Sequence, residues 1–299
     1  MTKRNKHQAA SDAFPFELPP TLTSAGDTVP SLRAGQVWRA RWDDVLTLVL
    51  IDTVLCEYSN EVRVAPVTIG GDDADDSAVI LPADISDLNV TLSVWPEMVA
   101  EISALVLERW VSAIVRYADL ATIGAAADGG ELLRGLPILR SDSPRLRERR
   151  LLELAMEVLA SAAHVTGGTG HLPTMLAEIP SSQLALTLEV SPAVARSIKR
   201  SRAILGPHQA ELIGAVLGVP AFEVLAANPE PPRGLVDDAT RLERGPAVRA
   251  IAAAHHESDS DAFADMIQSV WGLAARGDRV DSEDWSGRID TYIQVVLAS

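Results

Sequence analysis

Two short helices are predicted by the stretch Ser181-Ser-Gln-Leu-Ala-Leu-Thr-Leu-Glu-Val190-Ser-Pro-Ala-Val-Ala-Arg-Ser-Ile-Lys-Arg200. The first helix has its apolar residues at helical spacing and ends near Glu189. Ser191 is a good N-cap for the second helix, and Pro192 sits at its first position, where a missing N–H does no harm. The second helix therefore begins immediately after a tight turn.

The second helix has one apolar and one polar face. Val194, Ala195 and Ile198 are predicted to point inward, which leaves small and basic side chains on the outer face. Small residues near the start of a helix permit close approach to base edges, and arginine can bind guanine or phosphate. This pattern is what a DNA recognition helix requires. The candidate DNA-binding residues are Ser191, Ala193, Arg196, Lys199, Arg200 and Arg202.

Acidic and basic residues are distributed unevenly along the chain. The net charge is -15, from 26 basic and 41 acidic residues, which excludes a protein that coats nucleic acid with its whole surface. Residues 181–228, in contrast, carry four basic and three acidic side chains, and residues 190–210 contain no acid. Any contact with phosphate must therefore be local, and this segment is where we expect it.

The same segment resembles a known family of DNA-binding domains. Gln183-Leu-Ala, Val190-Ser191 through Ile198, Leu205-Gly-Pro-His-Gln and Leu217-Gly-Val-Pro-Ala-Phe-Glu-Val-Leu225 are similar to the Xre/lambda-repressor-like helix-turn-helix family. The resemblance covers roughly residues 172–227 and implies double-stranded DNA as the partner. Members usually have glycine where this chain has Glu189, and a Glu-x-Gly step where it has Lys199-Arg200-Ser201.

The first half of the chain is predicted to form strands. Five short runs of alternating or β-branched apolar residues are joined by turns rich in Asp, Gly and Asn, which suggests a small barrel or a curled antiparallel sheet. After Pro96 the apolar spacing becomes helical and predicts a closing helix. The five runs are Gly35–Trp42, Leu46–Val54, Glu61–Ala65, Ala78–Leu81 and Val90–Val94.

This half resembles the PemK/MazF family of ribonuclease toxins over about residues 34–115. The resemblance rests on Ala34–Trp42, Val62–Thr68 and Val79–Pro82, and it implies an SH3-like barrel. It also implies catalysis by an arginine near the second strand and a Ser or Thr after an "Ala-Pro" strand. Thr68 fills the second position.

The arginine of that family is missing from its place in this chain. Asp43 and Asp44 stand there and would repel a phosphate. Only Arg39 and Arg41 on the first strand could substitute, so Thr68, Arg39 and Arg41 form an alternative catalytic set. We expect no enzymatic activity, and a barrel that serves dimerisation or binding of a protein partner.

The predicted fold class is α+β, with a small SH3-like antiparallel β-barrel followed by an all-α helix-turn-helix region and a helical tail. The expected organisation is a disordered N-terminal arm (1–32), the barrel-like domain with its closing helix (33–124), a linker and connecting helix (125–171), the helix-turn-helix domain (172–228) and an acidic helical C-terminal segment (229–299). The N-terminus lacks the apolar core of a signal peptide, and no run is long enough to span a membrane. A single cysteine, Cys56, fits a reducing compartment, so we expect a cytoplasmic protein with no metal site and no cofactor.

The sequence favours a sequence-specific, DNA-binding transcriptional regulator. A single helix-turn-helix in so acidic a chain would bind weakly, so we expect a homodimer that contacts two half-sites. The apolar tail around Trp271, Ile289, Ile293 and Val296, or the barrel, would supply the contact. Two alternatives remain: a toxin–antitoxin-type protein with a ribonuclease barrel fused to its controller, and a protein-interaction adaptor.

Overall fold

The computed structural model describes residues 31–55, 60–71, 74, 77–83, 88–113, 144–163, 170–200, 204–274 and 284–298. The chain divides into two compact units, Met1–Ala162 and Ala163–Ser299. Most of the predicted N-terminal arm and the predicted linker up to residue 143 lie outside the described residues. No helix in the described part is long and apolar enough to cross a membrane.

The first unit contains an antiparallel sheet of seven strands and one helix. The strand order is β4-β5-β3-β2-β1-β7, and β3 pairs with β5 near its end and with β6 near its start. No hydrogen-bonded ladder among the described residues joins β4 to β7, so the sheet is open there. The elements are β1 (Gln36–Trp42), β2 (Val45–Val54), β3 (Glu61–Ile69), β4 (Val79–Leu81), β5 (Leu92–Val94), β6 (Ala100–Ser103), β7 (Leu107–Ala113) and α1 (Pro144–Ser161).

Both faces of the sheet are buried. One face carries an apolar cluster that includes Val37, Leu50 and Val67. α1 packs against β6, β2 and β1, and none of its buried side chains belongs to that cluster, so it covers the other face. Arg149 of α1 donates to Ser77 Oγ at 3.0 Å. The helix that the sequence assigned to a connecting segment thus belongs to the first unit.

The prediction of a closing helix after Pro96 is wrong. Residues 100–113 form β6, a short 3-10 turn at Ala104–Val106, and β7. β1 is an inner strand of the sheet, paired with β2 and β7, and Trp38 and Ala40 in it are at most 1% exposed. Without β7, one row of buried N–H and C=O groups along β1 would have no partner, and that cost outweighs the helical spacing of the apolar residues.

The second unit is entirely helical in its described part, so the α+β class and the helical tail are confirmed. Its first five helices enclose a core that contains Leu184, Leu188 and Ile198. The helices are α2 (Leu172–Met175), α3 (Ser181–Thr187), α4 (Pro192–Ile198), α5 (Pro207–Leu217), α6 (Ala221–Ala226), α7 (Arg233–Ala239), α8 (Gly245–His255), α9 (Asp259–Ala274) and α10 (Trp285–Leu297).

Candidate nucleic-acid interface

The turn between α3 and α4 is closed by two backbone hydrogen bonds. Glu189 N donates to Leu186 O at 3.3 Å, and Val190 N donates to Ala185 O at 3.0 Å. This arrangement is a Schellman motif, which requires a left-handed residue after the helix. Glu189 takes that conformation, with φ of 53°. Glu189 therefore occupies a position in the turn that glycine would occupy without strain.

α4 begins where the sequence predicts, and it turns the predicted apolar side chains towards the core. Ser191 Oγ accepts a hydrogen bond from Val194 N at 3.3 Å and caps the helix. Ala195 and Ile198 are fully buried in the core of the unit. Ala193, Arg196 and Arg200, like Ser191, are exposed. The outer surface of the α3–α4 pair, defined here as residues 181–200, thus presents two arginines.

The sequence predicts that Lys199 points outward, but in the structure its side chain points towards the loop that precedes α3. It is half-buried, and its Nζ donates to Ile179 O at 2.6 Å and to Ala177 O at 3.3 Å. Those carbonyl groups lie in the loop between α2 and α3. The lysine therefore closes this loop instead of standing free on the outer face. Arg202 lies outside the described residues.

Glu189→Gly should stabilise the second unit. Glycine adopts positive φ without a Cβ penalty, and the exposed glutamate side chain contributes little packing, so the gain should be about 1 kcal/mol. Gly218, with φ of 72° at the end of α5, provides the reverse control, because Gly218→Ala should lose a similar amount. Urea unfolding of the two variants tests the assignment. Equal stability of parent and Glu189→Gly would show that the turn is not strained.

The alternative catalytic residues of the sheet do not come together. Arg39 lies opposite Leu48, which lies opposite Val67, so the three share one face of the sheet. Thr68 follows Val67 and therefore lies on the other face. Its Oγ1 accepts a hydrogen bond from Trp95 Nε1 at 3.4 Å.

The two arginines of that set share an acidic partner. Arg39 Nε lies 2.6 Å and Arg41 Nη1 lies 3.8 Å from the carboxylate oxygens of Glu108. Both therefore lie on one face, as alternation predicted. Their charges are directed to β7 and away from Thr68.

The purified chain should leave single-stranded RNA intact, because Thr68 and the two arginines lie on opposite faces of the sheet. Thr68→Ala should change nothing in a gel assay of labelled RNA. Cleavage that disappears in Thr68→Ala would contradict this prediction. Cleavage that persists in this variant would point to a contaminating nuclease.

A cleft adjoins the inner side of α4, and the sequence did not single it out. Its volume is about 440 Å³, and its walls come from the α3–α4 pair, α5, α9 and α10. α9 contributes Asp265, Gln268, Ser269 and Gly272, which are spaced as one helical face. That polar spacing was visible in the sequence, but only the fold shows what covers it.

The pKa values of Asp265, which lines the cleft, and of its acidic neighbour Glu257 are raised. Burial raises the pKa of Asp265 to about 6, the charge of Asp261 adds to this shift, and His255 opposes it. Burial also raises the pKa of Glu257 to about 7, with contributions from Asp265 and Asp261. The Asp265 carboxylate has no hydrogen-bond or ion-pair partner among the residues that the structure describes.

Asp265→Asn should stabilise the protein at about pH 8 and lose this advantage near pH 4. The pKa of Asp265 is higher in the folded state than its usual value of 3.8, so ionisation opposes folding. This penalty is complete above about pH 6 and absent below the ordinary pKa of an aspartate, and we expect it to be on the order of 2 kcal/mol. Thermal unfolding across this pH range measures the difference. An advantage that is equal at both pH values would contradict the titration of Asp265.

The described residues contain no group of three or more His, Cys, Asp or Glu side chains that could hold a metal ion. Comparisons of the chain with protein-family models, with curated proteins and with solved structures find no match.

Proposed function

We propose that this chain binds double-stranded DNA through the α3–α4 pair and regulates transcription in a sequence-specific manner. The observation that carries the proposal is the geometry of α4. Its Ala195 and Ile198 anchor it in the core, while Arg196 and Arg200 are exposed in the segment 190–210, which has no acid. A short helix held in this way, with small and basic residues outward, suits the major groove.

The turn supports the same function. The hydrogen bonds around Glu189 and the cap at Ser191 hold α3 and α4 at one angle, so the basic face is preorganised. Preorganisation lowers the entropy lost on binding. Lys199 contributes indirectly, since it ties the start of α3 to the end of α4.

A dimer is part of the proposal. The two arginines of one α4 provide few contacts against a net charge of -15, and a two-fold axis would double them. We assign dimerisation, or the binding of a protein partner, to the sheet of the first unit or to the helical tail. Of the tail residues, Ile289 is fully buried, whereas Trp271, Ile293 and Val296 are half-buried.

Selection from a pool of random duplexes tests the proposal. The full chain should enrich a common motif at low salt, with two inverted half-sites if it is a dimer. Light scattering at tens of micromolar should show two copies. If the chain retains no duplex at low salt, the proposal is wrong and a protein-interaction adaptor takes its place. A dimer mass with a single half-site would contradict the two-fold arrangement.

A further inference from the structure

The cleft beside α4 has an apolar lining on both sides. Val190 and Val194 come from the α3–α4 pair, and Leu273, Val295 and Val296 come from α9 and α10. Leu273 and Val295 are 58% and 61% exposed, so water covers apolar surface at the rim. The volume of the cleft falls in the range of small-molecule sites. An occupant that fills it needs an apolar body.

The polar groups of the cleft determine the charge of that occupant. Asp265 lines the cleft and has no hydrogen-bond or ion-pair partner in the described part of the chain, and Asp261 and Glu257, which lie outside the lining, are close enough to act on it. Asp261 is engaged, because its Oδ1 accepts from His208 N and its Oδ2 from Ser258 Oγ. Of these three groups only Asp265 lines the cleft, so it is the carboxylate that a ligand there can reach. A cation is attracted here, and an anion is repelled.

The amide nitrogen of a second polar side chain of the cleft also has no hydrogen-bond partner within the described residues. Gln268 is 9% exposed, and its Nε2 forms no hydrogen bond with any residue in the described ranges. A buried amide group without a partner is costly, by about 1–3 kcal/mol. Ser269 is engaged with the Tyr292 hydroxyl. A carboxylate and an amide from one face of α9 thus remain to be satisfied.

We propose that this cleft binds a small organic amine, whose ammonium group pairs with Asp265 and whose apolar body packs against Val194, Leu273 and Val295. The Gln268 amide supplies a second polar contact to the same molecule. An effect on DNA rests on the proposed function: because Val194 belongs to α4, the bound amine would bias the position of that helix.

The first experiment measures amine binding to the full chain without DNA. The probes are alkyl and aryl amines from hexylamine to tryptamine, each paired with the alcohol and the carboxylate of the same skeleton. At least one amine should raise the melting temperature, and its alcohol and carboxylate should do so less or not at all. Calorimetry then gives its affinity, which Asp265→Asn should lower about tenfold or more. Glu211→Gln, an exposed carboxylate of α5 outside the cleft, should leave it unchanged.

Three results would overturn the amine site. One is that no amine in the panel stabilises the chain. Another is that the alcohol binds as well as its amine. The third is that dilution lowers the melting temperature and dimer formation excludes every probe, which would show that a second copy fills the cleft.

The second experiment titrates the selected duplex with and without saturating amine, and the affinity should differ at least about threefold. Because the first experiment contains no DNA, failure of DNA binding does not affect its result. An unchanged duplex affinity would contradict the coupling to α4.

Discussion

Replacing Arg196 and Arg200 together by alanine should lower the affinity for the preferred duplex by about a hundredfold, because each contact to a base edge or phosphate contributes about 1–3 kcal/mol. Both side chains are exposed, so the variant should unfold at the same urea concentration as the parent. The slope of log affinity against log salt should become shallower by about 0.9 for each lost phosphate contact. Filter binding at several salt concentrations measures both quantities.

Two matched variants make this test selective. Arg233 and Arg241 are arginines of the same unit that are paired with Asp237 and Asp238, and their double alanine variant should bind DNA as the parent does. Lys199→Ala should reduce stability, since Ile179 O loses its donor, with a smaller change in the salt slope than the arginine pair. Unchanged DNA affinity of the Arg196/Arg200 variant would remove α4 from the interface.

Asn228→Ala should destabilise the second unit by about 3 kcal/mol, because it leaves two buried backbone groups without partners. Asn228 is 3% exposed; its Nδ2 donates to Leu205 O at 3.0 Å, and its Oδ1 accepts from Leu205 N at 2.9 Å. This pair joins the segment that precedes α5 to the end of α6. Urea unfolding with an unchanged slope and a lower midpoint would report this loss.

The chemistry of the amide can be separated from its volume. Asn228→Asp keeps the acceptor but cannot donate to Leu205 O, so it should also destabilise the unit. Gln294→Ala removes an exposed amide of α10 and should have little effect. If Asn228→Asp were as stable as the parent, the hydrogen bond to Leu205 O would contribute nothing.

Local chemistry made the α3–α4 pair predictable. A serine cap followed by proline starts a helix wherever the chain allows one, and the structure begins α4 at Pro192 with Ser191 as its cap. Alternation along β1 similarly predicted that Arg39 and Arg41 share one face. These features depend on neighbours within a few residues, which a sequence shows directly.

Long-range contacts explain why the predicted closing helix and the predicted direction of Lys199 differ from the structure. The stretch 100–113 has helical apolar spacing, yet the backbone of β1 needs a partner, and only the folded sheet reveals that need. Lys199 looks like an outward charge in the sequence. Its acceptors at Ala177 and Ile179 are distant in sequence and come near only when α2 and α3 pack.

Local sequence patterns predict the α+β class, most strands, the start of α4, and the acid-free segment that contains Arg196 and Arg200. Periodicity, capping and local charge are properties of short stretches, so they can be recognised without knowledge of the fold. Only the folded chain shows that β7 completes the sheet, that Thr68 lies away from both arginines, and that Asp265 and Gln268 face a cleft against α4. Each of these depends on which distant surfaces are buried together, and burial is what sets the pKa of Asp265 and leaves Gln268 Nε2 without a partner among the described residues.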